Sequence, residues 1–214
     1  LAQEPSRTQT GLGVGLVGWA PVGGNDKVFA WIDSRLELPR YELIEKFWQR
    51  IELEYLVVHN VYLDAYHQRV RAAQLEQIQL AIMDEGDRPI VIVGDFNIAP
   101  HPVDGLIDGQ ISGFNSEVDR EPLRRLLDSG YLVDLGYSMK PSQWTIEREL
   151  QGRKVQFRCD LALSSDYIAH ELKWHCDHST RSGVEAFTDH SGLLVDLAVT
   201  IPETKHQFEL FPRE

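Results

Sequence analysis

The sequence predicts an α/β fold, with helices covering a sheet. Three observations predict it. Tyr55 to Leu63 (YLVVHNVYL) is a near-continuous apolar and β-branched run, the pattern of a buried strand. In Arg69 to Met83, Val70, Ala73, Leu75, Ile78 and Ile82 recur at helical spacing, and Gly86 follows as a stop signal. Pro89 to Gly94 (PIVIVG) is a second buried strand. Strand, helix and strand in that order form one α/β unit.

The other elements follow from local pattern. Leu12 to Pro21 is glycine-rich but apolar, consistent with a strand that allows close backbone approach. It is not a phosphate loop, because no Gly-Lys-Ser/Thr follows. Val28 to Ile32 is a strand candidate, and Glu42 to Glu54 fits helix and strand equally. A loop is expected from Asn97 to about Ser116, then a short helix from Glu121 to Leu127 and a strand near Tyr131 to Leu135. Val155 to Leu163, Leu172 to Cys176 and Gly192 to Thr200 read as strands. Residues 201–214 form a polar, peripheral tail. One domain over 1–214 is expected, without internal repeats.

Composition narrows the function classes. No apolar run approaches the length of a bilayer span, and no signal peptide is recognisable, so a cytoplasmic protein with no membrane partner is expected. The two cysteines, Cys159 and Cys176, make neither a disulfide framework nor a zinc site and are expected to be small buried residues. The formal net charge of −12 argues against indiscriminate nucleic-acid binding. It permits a nuclease, because carboxylates that hold cations count as negative in the sum. A DNA groove on such a body must be a local basic patch.

Three segments carry chemistry. Gly94-Asp95-Phe96-Asn97 follows a buried strand directly. The glycine permits a sharp turn, and Asp95 and Asn97 can share one face at the sheet rim. A carboxylate there can hold a cation or move a proton, and an amide can fix a phosphate oxygen or a water. A plain turn explains the same four residues equally well. Asp160 lies beside Leu161, Ala162 and Leu163, where a carboxylate is costly unless paired. An edge-strand aspartate facing water is the alternative. Thr188-Asp189-His190-Ser191 opens the last strand, and a histidine beside an aspartate can be a ligand, a general acid or base, or a phosphate-binding cation. The other seven histidines (His59, His67, His101, His170, His175, His178 and His206) have no comparable context and are read as surface or structural.

Taken in order, these segments resemble the endonuclease/exonuclease/phosphatase superfamily, most closely exonuclease III and the apurinic/apyrimidinic (AP) endonucleases. Leu1-Ala2-Gln3-Glu4 is similar to the family's Leu-Gln-Glu segment, and Asn60-Val61-Tyr62-Leu63 to the strand bearing its active-site tyrosine. The resemblance is strongest at Gly94-Asp95-Phe96-Asn97-Ile98-Ala99-Pro100. Gln143-Trp144-Thr145 is similar to an aromatic-Thr-Trp segment that approaches DNA. Arg158-Cys159-Asp160 is similar to Arg-Ile-Asp, and Thr188-Asp189-His190-Ser191 to Ser-Asp-His.

The resemblance implies a four-layered α/β/β/α sandwich, two β-sheets face to face with helices outside. It also implies a strand ahead of Glu4 carrying an active-site asparagine, which this sequence lacks because it starts at Leu1. The implied activity is Mg²⁺- or Mn²⁺-dependent phosphodiester hydrolysis of DNA by a monomeric AP endonuclease or 3′-5′ exonuclease. Glu4 would hold the metal, with Asp189 as a second or water-mediated ligand, and Asp95, Asn97 and His190 would complete the metal site. Asp95 would activate water or protonate the leaving oxygen, and Asn97 would orient phosphate or water. His190, held by Asp160, would donate a hydrogen bond to the phosphate, and Tyr62 would add a phenolic one. Trp144 and Arg158 would contact substrate, although core packing explains Trp144 nearly as well. The competing readings are a same-fold enzyme acting on a nucleotide, RNA or a phospholipid head group, and a non-catalytic binding module. Gathered carboxylates argue against the last.

Overall fold

The computed structural model describes residues 19–25, 27–33, 37–113, 116–137, 143–184 and 186–197. Glu4, the first part of the Leu12 to Pro21 segment and the 201–214 tail lie outside these residues.

A six-stranded sheet forms the centre. Its strands are β3 (Arg40–Glu45), β4 (Trp48–Glu52), β5 (Val57–Tyr62), β6 (Ile90–Asp95), β9 (Leu132–Asp134) and β12 (Asp160–Ser165), in the spatial order β3-β4-β5-β6-β12-β9. Among the described strands only β5 and β6 are parallel neighbours, and the connection between them is helix α1 (Gln68–Asp84). The strand, helix and strand read from 55 to 94 are therefore present. Gly86, at φ +64°, follows the helix in the left-handed conformation.

Side-chain alternation gives this sheet two different faces. Val61, Ile90, Ile92, Leu161 and Leu163 point to one face and pack with Leu75, Ile78 and Ile82 of α1. Leu123 and Leu126 of α2 (Glu117–Asp128) complete this core. Each such side chain contributes roughly 1.5–3 kcal/mol when fully buried. Arg71 of α1 donates to Asp119 of α2 at 2.7 Å, and Ser116 caps α2 by accepting from the Asp119 amide.

The opposite face meets smaller sheets. The hairpin of β1 (Trp19–Gly24) and β2 (Phe29–Asp33) packs Val22 and Ala30 against Ile51. The pair β13 (Leu172–Asp177) and β14 (Gly192–Leu197) lies against β12. A four-stranded sheet joins β10 (Ile146–Leu150), β11 (Arg153–Phe157), β7 (Gly105–Ile107) and β8 (Gln110–Ile111). The architecture is mixed α/β and layered, and the described residues form no closed barrel.

Several local expectations change. The ambiguous stretch Glu42 to Glu54 is the antiparallel pair β3–β4, with a register shift between Leu43 and Glu45. The loop after Asn97 contains a 3-10 turn at Pro102–Asp104 and strands β7 and β8. Val155 to Leu163 is not one strand. It breaks at Arg158-Cys159 and passes from the four-stranded sheet into the central one. The Arg158 amide donates to Asp104 O at 2.8 Å, and the Phe96 amide donates to Cys159 O at 2.9 Å, so each sheet claims one side of the break.

Gly94 is fixed by geometry. Its φ is +142°, and a Cβ there would stand 1.9 Å from the Val61 carbonyl oxygen of the neighbouring strand. Both obstacles are backbone. Gly94→Ala is expected to destabilise the protein by at least about 2 kcal/mol, read as a lower urea midpoint. An unchanged midpoint would contradict this register.

Candidate active site

The strand register builds the site. Tyr62 at the end of β5 pairs with Asp95 at the end of β6, and Asp95 pairs with Asp160 at the start of β12. The three residues form one transverse row. Because Val61, Ile92 and Leu161 face the helices, Tyr62, Asp95 and Asp160 face the opposite side. Neighbouring strands lie about 4.8 Å apart, so the two carboxylates are forced close together at the sheet rim.

His190 completes the group. It sits just ahead of β14 and forms an isolated bridge with Ile146 at the start of β10. Its Nδ1 lies 3.0 Å from both carboxylate oxygens of Asp160. Donor atoms of Asp95, Asp160 and His190 all lie within 4.8 Å of one another. Burial opposes a charge on the His190 ring. The Asp160 hydrogen bond and the charges of Asp160, Asp95 and Asp189 outweigh it and raise the pKa from 6.5 to about 9. The ring is therefore an imidazolium at neutral pH, with Nδ1 committed to Asp160.

Thr145 ties the segments together. It is fully buried, and its hydroxyl accepts from the amides of Cys159 and Asp160, each at 3.1 Å. Its carbonyl accepts from the Ser191 amide at 2.7 Å. One residue thus holds the backbone on either side of the His190–Asp160 pair. The loop after β6 is pinned separately. The Asn97 amide donates to Asp95 Oδ1 at 2.8 Å, and Asn97 Nδ2 donates to Leu63 O at 2.9 Å. Asn97 has φ +50°, a conformation that asparagine tolerates better than most residues.

A sequence model of the Endonuclease/Exonuclease/phosphatase family matches residues 4–191. The chain belongs to that family. Within the family it resembles the exonuclease III-like enzymes. A search of curated proteins by sequence gives no match. Among solved structures, a 3′-5′ exonuclease (NExo) from Neisseria meningitidis is 25% identical, with TM-score 0.67, over 85% of this chain and 80% of that one. An AP endonuclease from Archaeoglobus fulgidus is 19% identical, with TM-score 0.68, over 86% of this chain and 80% of that one. A 3′ phosphatase NExo from Neisseria, bound to a product DNA hairpin, is 23% identical, with TM-score 0.67, over 85% and 80%. These neighbours share the fold described above.

The residues expected from family resemblance fall into three groups. Tyr62, Asp95, Asp160 and His190 are brought together. Glu4 lies outside the described residues. Arg158, Asp189, Asn97 and Trp144 form the third group, each with partners of its own. Arg158 is not presented to a substrate. It is 6% exposed and donates to Asp134 at 2.7 and 3.0 Å and to Asp104 at 2.9 Å, so its guanidinium locks β9 and the 102–104 turn to the strand break. The Asp189 carboxylate is ion-paired with Arg148 of β10 and stands 3.8 Å from His190 Nε2, outside the Asp95, Asp160 and His190 cluster. One Nδ2 hydrogen of Asn97 goes to the Leu63 carbonyl, which fixes the orientation of the amide. Trp144 is half-buried beside Thr145, and its carbonyl accepts from Arg181 at 3.3 Å.

The remaining titratable groups behave as structure. Cys159 is buried and Cys176 half-buried, and both are free. Burial pushes the Cys176 thiol up to about 12 and that of Cys159 well up too, so neither is a ready nucleophile. His59 is fully buried, accepts from the Trp48 indole at 2.9 Å and is pushed down to about 4, mainly by burial. It is a neutral core histidine.

Sequence reasoning gave no role to Lys27, Arg148 or Arg181. Lys27 Nζ lies 4.4 Å from the centre of the Tyr62 ring. Arg181 donates to Ser191 Oγ at 2.6 Å, next to His190. These cations come from separate hairpins and turns, so no local sequence pattern marks them.

The raised His190 value has a definite sign. Its charged form contributes stability in full below pH 6.5, and that contribution is lost as pH rises through about 9. In the metal-free protein, an NMR titration of the His190 ring is expected to show a midpoint near 9, and Asp160→Asn to lower it markedly. A midpoint at or below 6.5 in the parent would contradict the pairing.

Proposed function

We propose that this chain is a divalent-metal-dependent nuclease that hydrolyses phosphodiester bonds in DNA, cleaving beside abasic sites or trimming 3′ ends as a monomer. The observation that carries this reading is the convergence of Asp95, Asp160 and His190 within 4.8 Å at one sheet rim. Family membership supports the reaction class. The AP endonuclease, exonuclease and DNA-bound 3′ phosphatase among the structural neighbours support DNA as the substrate.

The roles follow from the charge that phosphoryl transfer creates. Negative charge accumulates on the non-bridging oxygens and on the leaving oxygen. The His190 imidazolium, oriented by Asp160, donates a hydrogen bond to a non-bridging oxygen. Tyr62 adds a phenolic hydrogen bond from the far end of the row. Asp95 takes the proton of the attacking water, and Asn97 holds the loop that aims it. The donor set fits Mg²⁺ or Mn²⁺, because two hard carboxylates stand together and the adjacent imidazole is charged. Asp95, with Glu4, would hold the ion, which supplies Lewis-acid stabilisation of the developing charge when bound.

Two experiments test the proposal. An abasic duplex, an intact duplex, RNA and a phospholipid analogue are each incubated with Mg²⁺ and with EDTA. Cleavage of the abasic or 3′-ended DNA is expected with Mg²⁺ only. Preferential hydrolysis of RNA or the phospholipid would replace the DNA reading with another member of the same reaction class. Asp95→Asn is expected to lower turnover by about 10²–10⁴-fold while the unfolding midpoint stays near that of the parent. A variant that cleaves like the parent would remove Asp95 from the chemistry.

A further inference from the structure

We propose that Lys27 is a phosphate-binding residue, which grips the substrate strand at the phosphate next to the one being hydrolysed. This rests on the nuclease reading above. It adds a second anion subsite on the flank of the row opposite His190.

The β1–β2 hairpin is anchored where it can present this cation. Gln49 Nε2 donates to Gly23 O at 2.7 Å, and Asn60 Nδ2 donates to Phe29 O at 3.3 Å. Gln49 and Asn60 are buried, paired across β4 and β5, and hydrogen-bonded to each other at 3.3 Å. Buried amides with these partners fix the hairpin against the sheet face that carries the active row. Asn60 and Tyr62 are alternate residues of β5 and share that face. Phe29 lies over Asn60, and Lys27, two residues away at the hairpin tip, lies over Tyr62.

The tip itself is ordered by its own bonds. Asn25 Oδ1 accepts from the amides of Lys27 and Val28 at 2.7 and 3.1 Å, and the Asn25 amide donates to Val28 O at 2.8 Å. Among the described residues no carboxylate forms an ion pair with Lys27. Its ammonium rests on the Tyr62 ring, an arrangement that leaves N–H donors for an incoming anion.

Spacing assigns the ligand. Tyr62 and Asp160 are separated by two strand intervals, roughly 10 Å. His190 lies at the Asp160 end and Lys27 at the Tyr62 end. A phosphate held by His190 and Tyr62 takes up the row itself, which leaves Lys27 at its Tyr62 end for a further charge. A nucleic-acid strand carries further phosphates on either side of the one being hydrolysed, and one of these meets Lys27. The ligand class is therefore a polynucleotide strand rather than a free phosphate or a mononucleotide.

The test is equilibrium binding without turnover. A fluorescein-labelled abasic duplex is titrated by anisotropy in EDTA at several salt concentrations, with parent protein, Lys27→Met, Lys27→Gln and Lys27→Arg. Methionine keeps an apolar stem on Tyr62 and removes the charge. Both neutral variants are expected to weaken binding several-fold at low salt and to flatten the slope of log Kd against log salt by about 0.9, the effect of one lost phosphate contact. Lys27→Arg is expected to keep the parent slope. Parent slopes in both neutral variants, each measured while folded, would overturn the proposal, as would a parent slope of zero. A parent that binds in this way but cleaves no DNA with Mg²⁺ would overturn the nuclease reading and leave Lys27 as a strand contact.

Discussion

Everything at the site depends on the register of three neighbouring strands. Tyr62, Asp95 and Asp160 form one row only because β5, β6 and β12 are paired in that frame. A slip of one residue would turn every side chain of a strand to the opposite face. The frame is held by the helix-side core, where Val61, Ile92 and Leu161 are almost wholly buried. Gly94 enforces it, since its backbone approaches Val61 more closely than any side chain allows. Hydrophobic packing on one face thus sets the chemistry on the other.

The row is electrostatically unfavourable by itself. Two carboxylates on adjacent strands repel, and removing them from water adds to the cost. His190 relieves part of this as an imidazolium against Asp160, and a divalent cation at Asp95 would relieve more. Such stored demand for positive charge is what a phosphate-cleaving site uses. Polar residues around it supply rigidity. Thr145 binds the backbone of Asp160 and Ser191, and Arg158 is enclosed by Asp104 and Asp134. Arg158 therefore acts through the position of the strand break rather than through substrate.

Much of this was legible in the sequence where one segment carried the whole signal. The buried strands ending at Leu63 and Gly94, and the helix between them, follow from local periodicity. Asp95 stands out because a carboxylate after a buried strand must lie at a rim. Asp160 stands out because a charge beside Leu161 and Leu163 needs a partner, and His190 is that partner. Pairings between distant segments were not legible. Val155 to Leu163 read as one apolar strand because periodicity does not show that Arg158 marks a change of sheet. Arg158 looked like a substrate contact because its acidic partners lie 54 and 24 positions away. The ion pair of Asp189 with Arg148 was silent, because nothing near Asp189 announces it. Lys27 was silent, since its position depends on amides in β4 and β5.

The central claim is that Asp160 and His190 act as one unit facing Asp95. A double-mutant cycle on turnover of an abasic duplex tests it most directly, using Asp160→Asn, His190→Gln and the double variant, with folding checked for each. Residues that work as a unit are strongly non-additive, so the double variant should be no slower than the slower single variant. Losses that multiply, as for independent sites, would contradict the account.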